Sequence, residues 1–153
     1  MNQLNNKISA RGVQVFYGDT HAIKDVDVDI LDKTVTAFIG PSGCGKSTAL
    51  KMIAGLLPVS AGSIEITPSS AVSEQDLGFV FQEPTLMPWA TVFDNVYLPL
   101  RLVGLRRSEV EPRVTQILKE VGLTRFADSY PRELSGGMKM RVSIARALVT
   151  RPR

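Results

Sequence analysis

The first part of the chain contains two kinds of apolar pattern, one alternating and one nearly uniform. In KDVDVDI (24–30) apolar residues alternate with aspartates, which is typical of a half-exposed strand in an antiparallel sheet. RGVQVFY (11–17) also predicts a strand, and the pair Gly18-Asp19 predicts the turn that ends it. TVTAFI (34–39) is more uniformly apolar, which predicts a strand buried on both faces.

A glycine-rich segment, GPSGCGKST (40–48), follows this apolar run directly. Beyond it, apolar residues recur at the spacing of a helix, at Leu50, Ile53, Ala54 and Leu57. GSIEI (62–66) and LGFVF (77–81) predict two further short strands. Strands that alternate with a helix predict an α/β core.

Strand signals fade from about Pro84 to Pro131, where helical spacing takes over. Apolar residues recur at that spacing between 110 and 121, and Gly122 predicts the end of the helix. Ser108 and Glu111 have the spacing of a capping box, although Pro112 favours a start one or two residues later. We interpret this stretch as a helical insertion in the α/β core.

Composition adds few constraints to this picture. The chain has 153 residues, 44% of them apolar and 22% charged, as expected for a globular domain. The single cysteine, Cys44, excludes an internal disulfide and a cysteine-clustered metal site. The net charge of +3 is compatible with phosphate-bearing ligands, but does not by itself indicate nucleic acid, and we expect no nucleic-acid partner.

The glycine-rich loop (40–48) fits the pattern G-x-x-x-x-G-K-[ST] between a predicted strand and a predicted helix. Its glycines allow backbone N–H groups to turn inward around a phosphate chain, at the positive end of the helix dipole. Lys46 would reach the terminal phosphates, Ser47 would bind Mg²⁺ and Thr48 would add a hydroxyl near the α-phosphate. The predicted nucleotide-binding residues are Gly40, Pro41, Ser42, Gly43, Cys44, Gly45, Lys46, Ser47 and Thr48.

A second helix start without bulky side chains lies in PRELSGGMKMR (131–141). Ser135 is the predicted N-cap, and Gly136 and Gly137 leave the first turn bare, which favours an anion site. One chain rarely needs two such sites for one nucleotide. Two chains arranged head to tail do, if each supplies its loop to one end of an ATP and its bare helix to the other.

GPSGCGKST, then FVFQ, then LSGG, in that order, resemble the ATPase subunit of an ABC transporter over nearly the whole chain. The resemblance implies a P-loop NTPase core of the ABC ATPase type, with ATP and Mg²⁺ as cofactors. It implies that Gln82 contacts Mg²⁺ and the attacking water, that Lys46 assists catalysis, and that Tyr17 stacks on adenine. An ordinary strand-end aromatic is the alternative interpretation of Tyr17. The signature, Ser135, Gly136 and Gly137, would close on the opposite subunit's ATP.

The resemblance also implies an organisation in three parts. These are a nucleotide-binding core with an N-terminal antiparallel strand region (1–83), a helical part (84–133), and the signature with its helix (134–153). His21, the only histidine, does not match the family's switch histidine, which comes much later in the sequence, and it is expected at the surface because it follows a turn and has no obvious partner.

FQEPTLMPWATVFDNVYLPLRL is similar to the segment that follows the same glutamine in importers of nitrate, sulfonates, taurine and related small anions. The family implies transmembrane permease subunits and a second ATP-binding subunit as partners, and a periplasmic or extracellular solute-binding protein indirectly. It implies a cytoplasmic location, peripheral on the inner face of the membrane. Leu86, Met87, Pro88 and Trp89 would form an apolar docking surface, unless Trp89 packs internally.

The family pattern ends before its catalytic half. ABC ATPases continue into an apolar strand that carries the Walker B aspartate and catalytic glutamate, and then to the switch histidine, and none of these follows RALVTRP here. We therefore expect this fragment of the core, incomplete at its C-terminus, to bind nucleotide without turnover. A non-hydrolysing nucleotide-binding or interaction module is the alternative, whereas a P-loop kinase or GTPase leaves LSGG unexplained.

Overall fold

A computed structural model describes residues 5–67 and 77–152, and the chain divides into two compact units, Met1–Val72 and Ser73–Arg153. Parts of the predicted nucleotide-binding core, residues 1–4 and 68–76, lie outside the described residues. Within these described residues, an antiparallel sheet and four helices confirm the predicted α/β class with its N-terminal antiparallel strands. The three-part organisation stays a prediction.

The first unit is built on a three-stranded antiparallel sheet. Its strands are β1 (Asn6–Tyr17), β2 (Thr20–Leu31) and β3 (Ala61–Ile66), in the order β2-β1-β3. Gly18 takes the left-handed conformation (φ 56°) in the predicted two-residue turn between β1 and β2. In β2 the aspartates are exposed and the alternate apolar residues pack inward, as the pattern predicts. Helix α1 (Lys46–Ile53) completes the core, which buries Ala10, Val13, Val15, Ile23, Met52 and Ile53.

Two predicted strands, 34–39 and 77–81, are wrong. In 34–39 Phe38 packs against the core, but Val35 and Ile39 are 100% and 94% exposed. An apolar pattern expresses a preference for burial, whereas a strand needs a neighbour to which its backbone can bond. Within the described residues β1 pairs with β2 and β3, and neither apolar segment joins this sheet.

The second unit is helical. It contains α2 (Val92–Leu102), α3 (Arg107–Glu120) and α4 (Gly136–Leu148), with short 3₁₀ turns at Thr124–Phe126 and Pro131–Glu133. This arrangement confirms the predicted helical insertion. One face of each helix contributes to a single apolar core, formed by Val92, Phe93, Val96, Leu100, Val110, Val114, Leu118, Leu123, Leu134, Val142, Ala145 and Val149. No helix of the described segments is long and apolar enough to cross a membrane.

Helix α3 begins earlier than the predicted capping box of Ser108 and Glu111. Glu109 instead accepts the backbone N–H of Arg106 (2.8 Å) and its guanidinium (2.7 Å), which fixes the start at Arg107. Pro112 therefore lies inside the helix, where it removes one bond to Ser108 at most. The end is as predicted: Gly122 is left-handed (φ 69°).

Candidate functional site

The glycine-rich loop (40–48) is held close to β2. Gly45 ends the loop in a left-handed conformation (φ 98°) and directly precedes α1. A Cβ at Gly45 would lie 2.7 Å from Ile23 Cδ1 and 3.2 Å from the Ala22 carbonyl oxygen. The positive φ favours glycine at this position, and a Cβ would in addition force the Ile23 side chain and the neighbouring backbone to shift.

Lys46 closes the loop on itself. Its ammonium donates hydrogen bonds to the carbonyl oxygens of Gly40 (2.8 Å) and Pro41 (2.6 Å), and lies 3.6 Å from Cys44 Sγ. The first residues of the loop are thus tied to its last by a positive charge. An incoming phosphate would offer this ammonium anionic oxygens in place of neutral carbonyls, and charge-assisted hydrogen bonds are the stronger ones.

The first turn of α1 supplies further donors. Its N–H groups precede the first intrahelical bond, donated by Ala49 to Gly45, and have no acceptor within the helix. The Ser47 side chain is exposed beside them. No group of three or more His, Cys, Asp or Glu side chains in the described ranges could hold a metal ion. In a loop of this pattern the hydroxyl after the lysine is a Mg²⁺ ligand, and phosphate oxygens and water supply further ligands. The residues present therefore fit a Mg²⁺–nucleotide.

Tyr17, the proposed adenine contact, is the last residue of β1 and is 48% exposed. Its neighbour Phe16 instead stacks on His21, with ring centroids 4.0 Å apart and planes 13° apart. His21 is half-buried against this ring, so the expectation of a surface residue with no obvious partner is wrong. The two residues are directly opposite in the β1–β2 register, which the one-strand pattern does not reveal.

The predicted signature residues begin α4. Ser135 is the N-cap, and its Oγ accepts the Met138 N–H at 3.3 Å. A Cβ at Gly136 or Gly137 would meet no atom within 4 Å, and neither residue has a positive φ. Nothing in the described part of the chain therefore requires glycine at these two positions, in contrast to Gly45.

Gln82 is exposed just beyond 77–81, in the unit Ser73–Arg153, as are the signature residues. The glycine-rich loop and Tyr17 belong to the unit Met1–Val72. The structure thus gathers the loop residues on one unit and the signature on the other, and a Mg²⁺ contact shared by Ser47 and Gln82 stays a prediction.

Within the predicted docking surface, Leu86 packs against the helical core while Trp89 is 76% exposed. The interpretation that Trp89 packs inside its own unit is therefore wrong. Met87 is half-buried and Pro88 is exposed. Of the four residues of the predicted surface, Pro88 and Trp89 are therefore the exposed ones.

Two side chains that organise this region are absent from the predicted site. Asn95, fully buried in α2, makes four hydrogen bonds to backbone groups of residues 87–91, and Arg146 on α4 bonds to residues 84 and 85. The sequence offers one signal for Asn95, a polar residue inside an apolar helical stripe. It offers none for Arg146, because the acceptors lie more than 60 residues away.

Comparisons with known proteins agree with this geometry. A family model described as ABC transporter matches residues 23–153. The taurine import ATP-binding protein TauB of Rhizobium johnstonii is 48% identical over 139 residues, which cover 89% of this chain and 53% of that protein. The sulfate/thiosulfate import ATP-binding protein CysA of Thermosynechococcus vestitus is 41% identical, covering 95% of this chain and 45% of its own length. The maltose/maltodextrin import ATP-binding protein MalK of Mannheimia succiniciproducens is 39% identical, with 95% and 40% covered. The chain spans about half the length of these relatives.

Solved structures are similar over nearly the whole chain. CbiO1 from Clostridium perfringens, part of the ABC transporter complex CbiONQ, has a TM-score of 0.81 at 31% identity, covering 96% of this chain and 62% of that one. An ATP-binding cassette solved as a dimer in a post-hydrolysis state, bound to ADP and Pi, has a TM-score of 0.82 at 33% identity, with 95% and 70% covered. With the family model matched from residue 23 to residue 153, the chain belongs to the ABC transporter family.

Proposed function

We propose that this chain is the nucleotide-binding part of the ATP-binding subunit of an ABC importer, with ATP and Mg²⁺ as its cofactors. The observation that carries the proposal is the glycine-rich loop at the start of α1, closed by Lys46. In the whole protein the subunit couples ATP binding and hydrolysis to transport.

The loop residues perform the binding steps. Lys46 exchanges its two carbonyl acceptors for phosphate oxygens, and the free N–H groups of the first turn of α1 bind the same phosphate chain. Ser47 would hold Mg²⁺, which would supply positive charge beside the phosphates. Gln82, exposed beyond 77–81, would contact the same Mg²⁺ and orient the attacking water.

The signature acts in trans, on the nucleotide held by a second ATP-binding subunit. The open space around Gly136 and Gly137 supports this, since no contact within the described residues accounts for the missing side chains. A bare, capped helix start accepts close approach by phosphate oxygens. The similar cassette that was solved as a dimer with ADP and Pi supports pairing with a second ATP-binding subunit.

The imported substrate is a small anion such as nitrate, a sulfonate or taurine. The segment after Gln82 and the higher identity to the taurine import protein (48%) than to the maltose/maltodextrin import protein (39%) support this class. Transmembrane permease subunits dock on the exposed Trp89 surface, and a periplasmic or extracellular solute-binding protein delivers the solute to them. The subunit then lies in the cytoplasm, on the inner face of the membrane.

Adenine recognition can be tested at Tyr17. We expect Tyr17→Ala to weaken Mg²⁺-ATP binding by roughly 5- to 150-fold, because stacking on a base contributes about 1–3 kcal/mol. Tyr17→Phe retains the ring and should bind normally. Phe16→Ala is a matched control, because the Phe16 ring is 45% exposed but stacks on His21. Isothermal titration calorimetry measures the ATP affinity of all three variants. Equal affinities for Tyr17→Ala and the unmodified protein would show that Tyr17 is an ordinary strand-end aromatic.

Permease docking can be tested at Trp89. We expect Trp89→Ala to weaken co-purification of the full-length protein with its permease by about 30-fold or more, since central interface tryptophans commonly contribute 2 kcal/mol or more. The melting temperature should change little, because the ring is 76% exposed. Leu148→Ala, which truncates a partly exposed side chain on α4, is the control. Normal complex formation by the Trp89 variant would contradict the docking surface.

A further inference from the structure

Arg146, in the last turn of α4, reaches the segment 84–91 that follows Gln82. Its guanidinium donates hydrogen bonds to the Thr85 carbonyl oxygen (3.0 Å), the Pro84 carbonyl oxygen (3.1 Å) and Thr85 Oγ1 (3.0 Å). Burial lowers the pKa of Arg146 from its usual value, yet arginine stays protonated in proteins. The partly buried guanidinium of Arg146 therefore makes these hydrogen bonds to backbone and hydroxyl oxygens of Pro84 and Thr85.

Thr85 has a backbone conformation that threonine avoids. Its φ is +46°, in the left-handed region, where a β-branched side chain is a genuine outlier. Such strain persists only where surrounding contacts over-determine the conformation. The three hydrogen bonds from Arg146 supply that constraint, since two of them end on Thr85 itself.

Asn95 fixes the other end of the same segment. Its Oδ1 accepts the Met87 N–H (2.8 Å), and its Nδ2 donates to the carbonyl oxygens of Met87 (3.1 Å) and Ala90 (3.1 Å). Asn95 therefore bonds to the residues on either side of Pro88 and Trp89, while Arg146 bonds to Pro84 and Thr85 at the start of the segment. Arg146 is the anchor that comes from the signature helix.

We propose that Arg146 is a positioning residue that ties the signature helix α4 to the segment 84–91, so that Trp89 and the signature residues respond as one body. The inference rests on the proposed function, in which a permease docks at Trp89 and the signature closes on ATP in trans. A displacement of Trp89 on docking is then transmitted to α4, the helix that begins after Ser135, because the planar guanidinium of Arg146 holds the two elements by several hydrogen bonds. Lysine cannot reproduce that geometry, because it presents a single ammonium.

The first experiment needs neither ATP nor permease. Trp89 is the only tryptophan of this sequence, and in the full-length protein any other is replaced by phenylalanine. Arg146→Lys should increase the fast local component of the time-resolved fluorescence anisotropy of Trp89. Thr85→Pro should do the same without altering α4, because proline cannot adopt a φ of +46°. Arg141→Lys is the matched control: Arg141 is also on α4, but it bonds to the Val121 carbonyl oxygen.

The second experiment measures coupling in the full-length protein assembled with its permease. Arg146→Lys should bind Mg²⁺-ATP with unchanged affinity but lose permease-dependent stimulation of hydrolysis by about 3- to 30-fold, the range expected for a residue that transmits coupling. Thr85→Pro should lose stimulation to the same extent, and Arg141→Lys should behave as the unmodified protein.

A lower melting temperature in Arg146→Lys, with Trp89 anisotropy and stimulation both unchanged, would overturn the proposal and leave Arg146 a stabilising residue. If Arg146→Lys does not fold, unchanged anisotropy in Thr85→Pro overturns it equally. Absence of ATP binding by the unmodified protein would refute the proposed function alone.

Discussion

Replacing Lys46 with alanine is expected to lower the affinity for Mg²⁺-ATP by roughly 10- to 150-fold. A hydrogen bond to a charged group contributes about 1.5–3 kcal/mol, and the ammonium of Lys46 is the one charged donor that the glycine-rich loop holds over its own carbonyls. The loss has a second component, since the same substitution removes the two bonds that keep Gly40 and Pro41 beside the start of α1. Calorimetric titration with ATP in the presence of Mg²⁺ measures the change.

Lys51→Ala is the control for this experiment. Lys51 lies on the same helix, in its last turn, so its removal changes the net charge equally but leaves the loop intact. We expect Lys51→Ala to bind ATP normally. Lys46→Arg should also bind poorly, because the guanidinium is larger and planar where a compact ammonium fits between two carbonyl oxygens. Equal affinities for Lys46→Ala and Lys51→Ala would show that the nucleotide does not bind at this loop.

Replacing Gly136 with aspartate is expected to abolish ATP-dependent dimerisation and ATP hydrolysis of the full-length protein while ATP binding persists. A carboxylate at the start of α4 adds bulk and negative charge where the proposed trans phosphate approaches. The same substitution should not harm the fold. The position has open space, and an acidic residue in the first helical turn interacts favourably with the helix dipole.

Gly136→Ala separates function from stability in this test. Alanine is favoured over glycine in a helix by about 0.5–1 kcal/mol, so the melting temperature should rise or stay constant. Size-exclusion chromatography with ATP measures dimerisation, phosphate release measures hydrolysis, and calorimetry measures ATP binding. Gly136→Asp should show no dimerisation and no hydrolysis but normal ATP binding. Normal dimerisation and turnover in this variant would exclude action of the signature in trans.

Patterns with a short period were sufficient for much of the fold. The alternation in 24–30 predicts β2, and the helical spacing of apolar residues around Val114 predicts α3. Both predictions are confirmed, because the period of the apolar residues reflects which face of a single element is buried. The glycine-rich loop was predictable for a related reason. Its glycines, lysine and hydroxyls are consecutive, so a local conformation brings them together.

Pairing and distant contacts were not predictable in this way. The apolar run 34–39 has the composition of a buried strand, yet Val35 is fully exposed, because strand formation depends on a neighbour that no local pattern specifies. The stacking of Phe16 on His21 likewise depends on the register between two strands. The start of α3 depends on which acidic side chain reaches back, and Glu109 does so rather than Glu111.

The sequence by itself determined strand β2, helix α3, the chemistry of the glycine-rich loop and the capped, bare start of α4, since each is encoded within about fifteen consecutive residues. Only the tertiary structure showed that a side chain at Gly45 would crowd Ile23 and Ala22 of β2, whereas a side chain at Gly136 would meet no described atom within 4 Å. It also decided that Trp89 is exposed and that Arg146 bonds to Thr85. The physical reason is range: hydrogen bonds and van der Waals contacts act between atoms a few ångströms apart, whereas Gly45 and Ile23 are 22 positions apart in the chain and Arg146 and Thr85 are 61 apart.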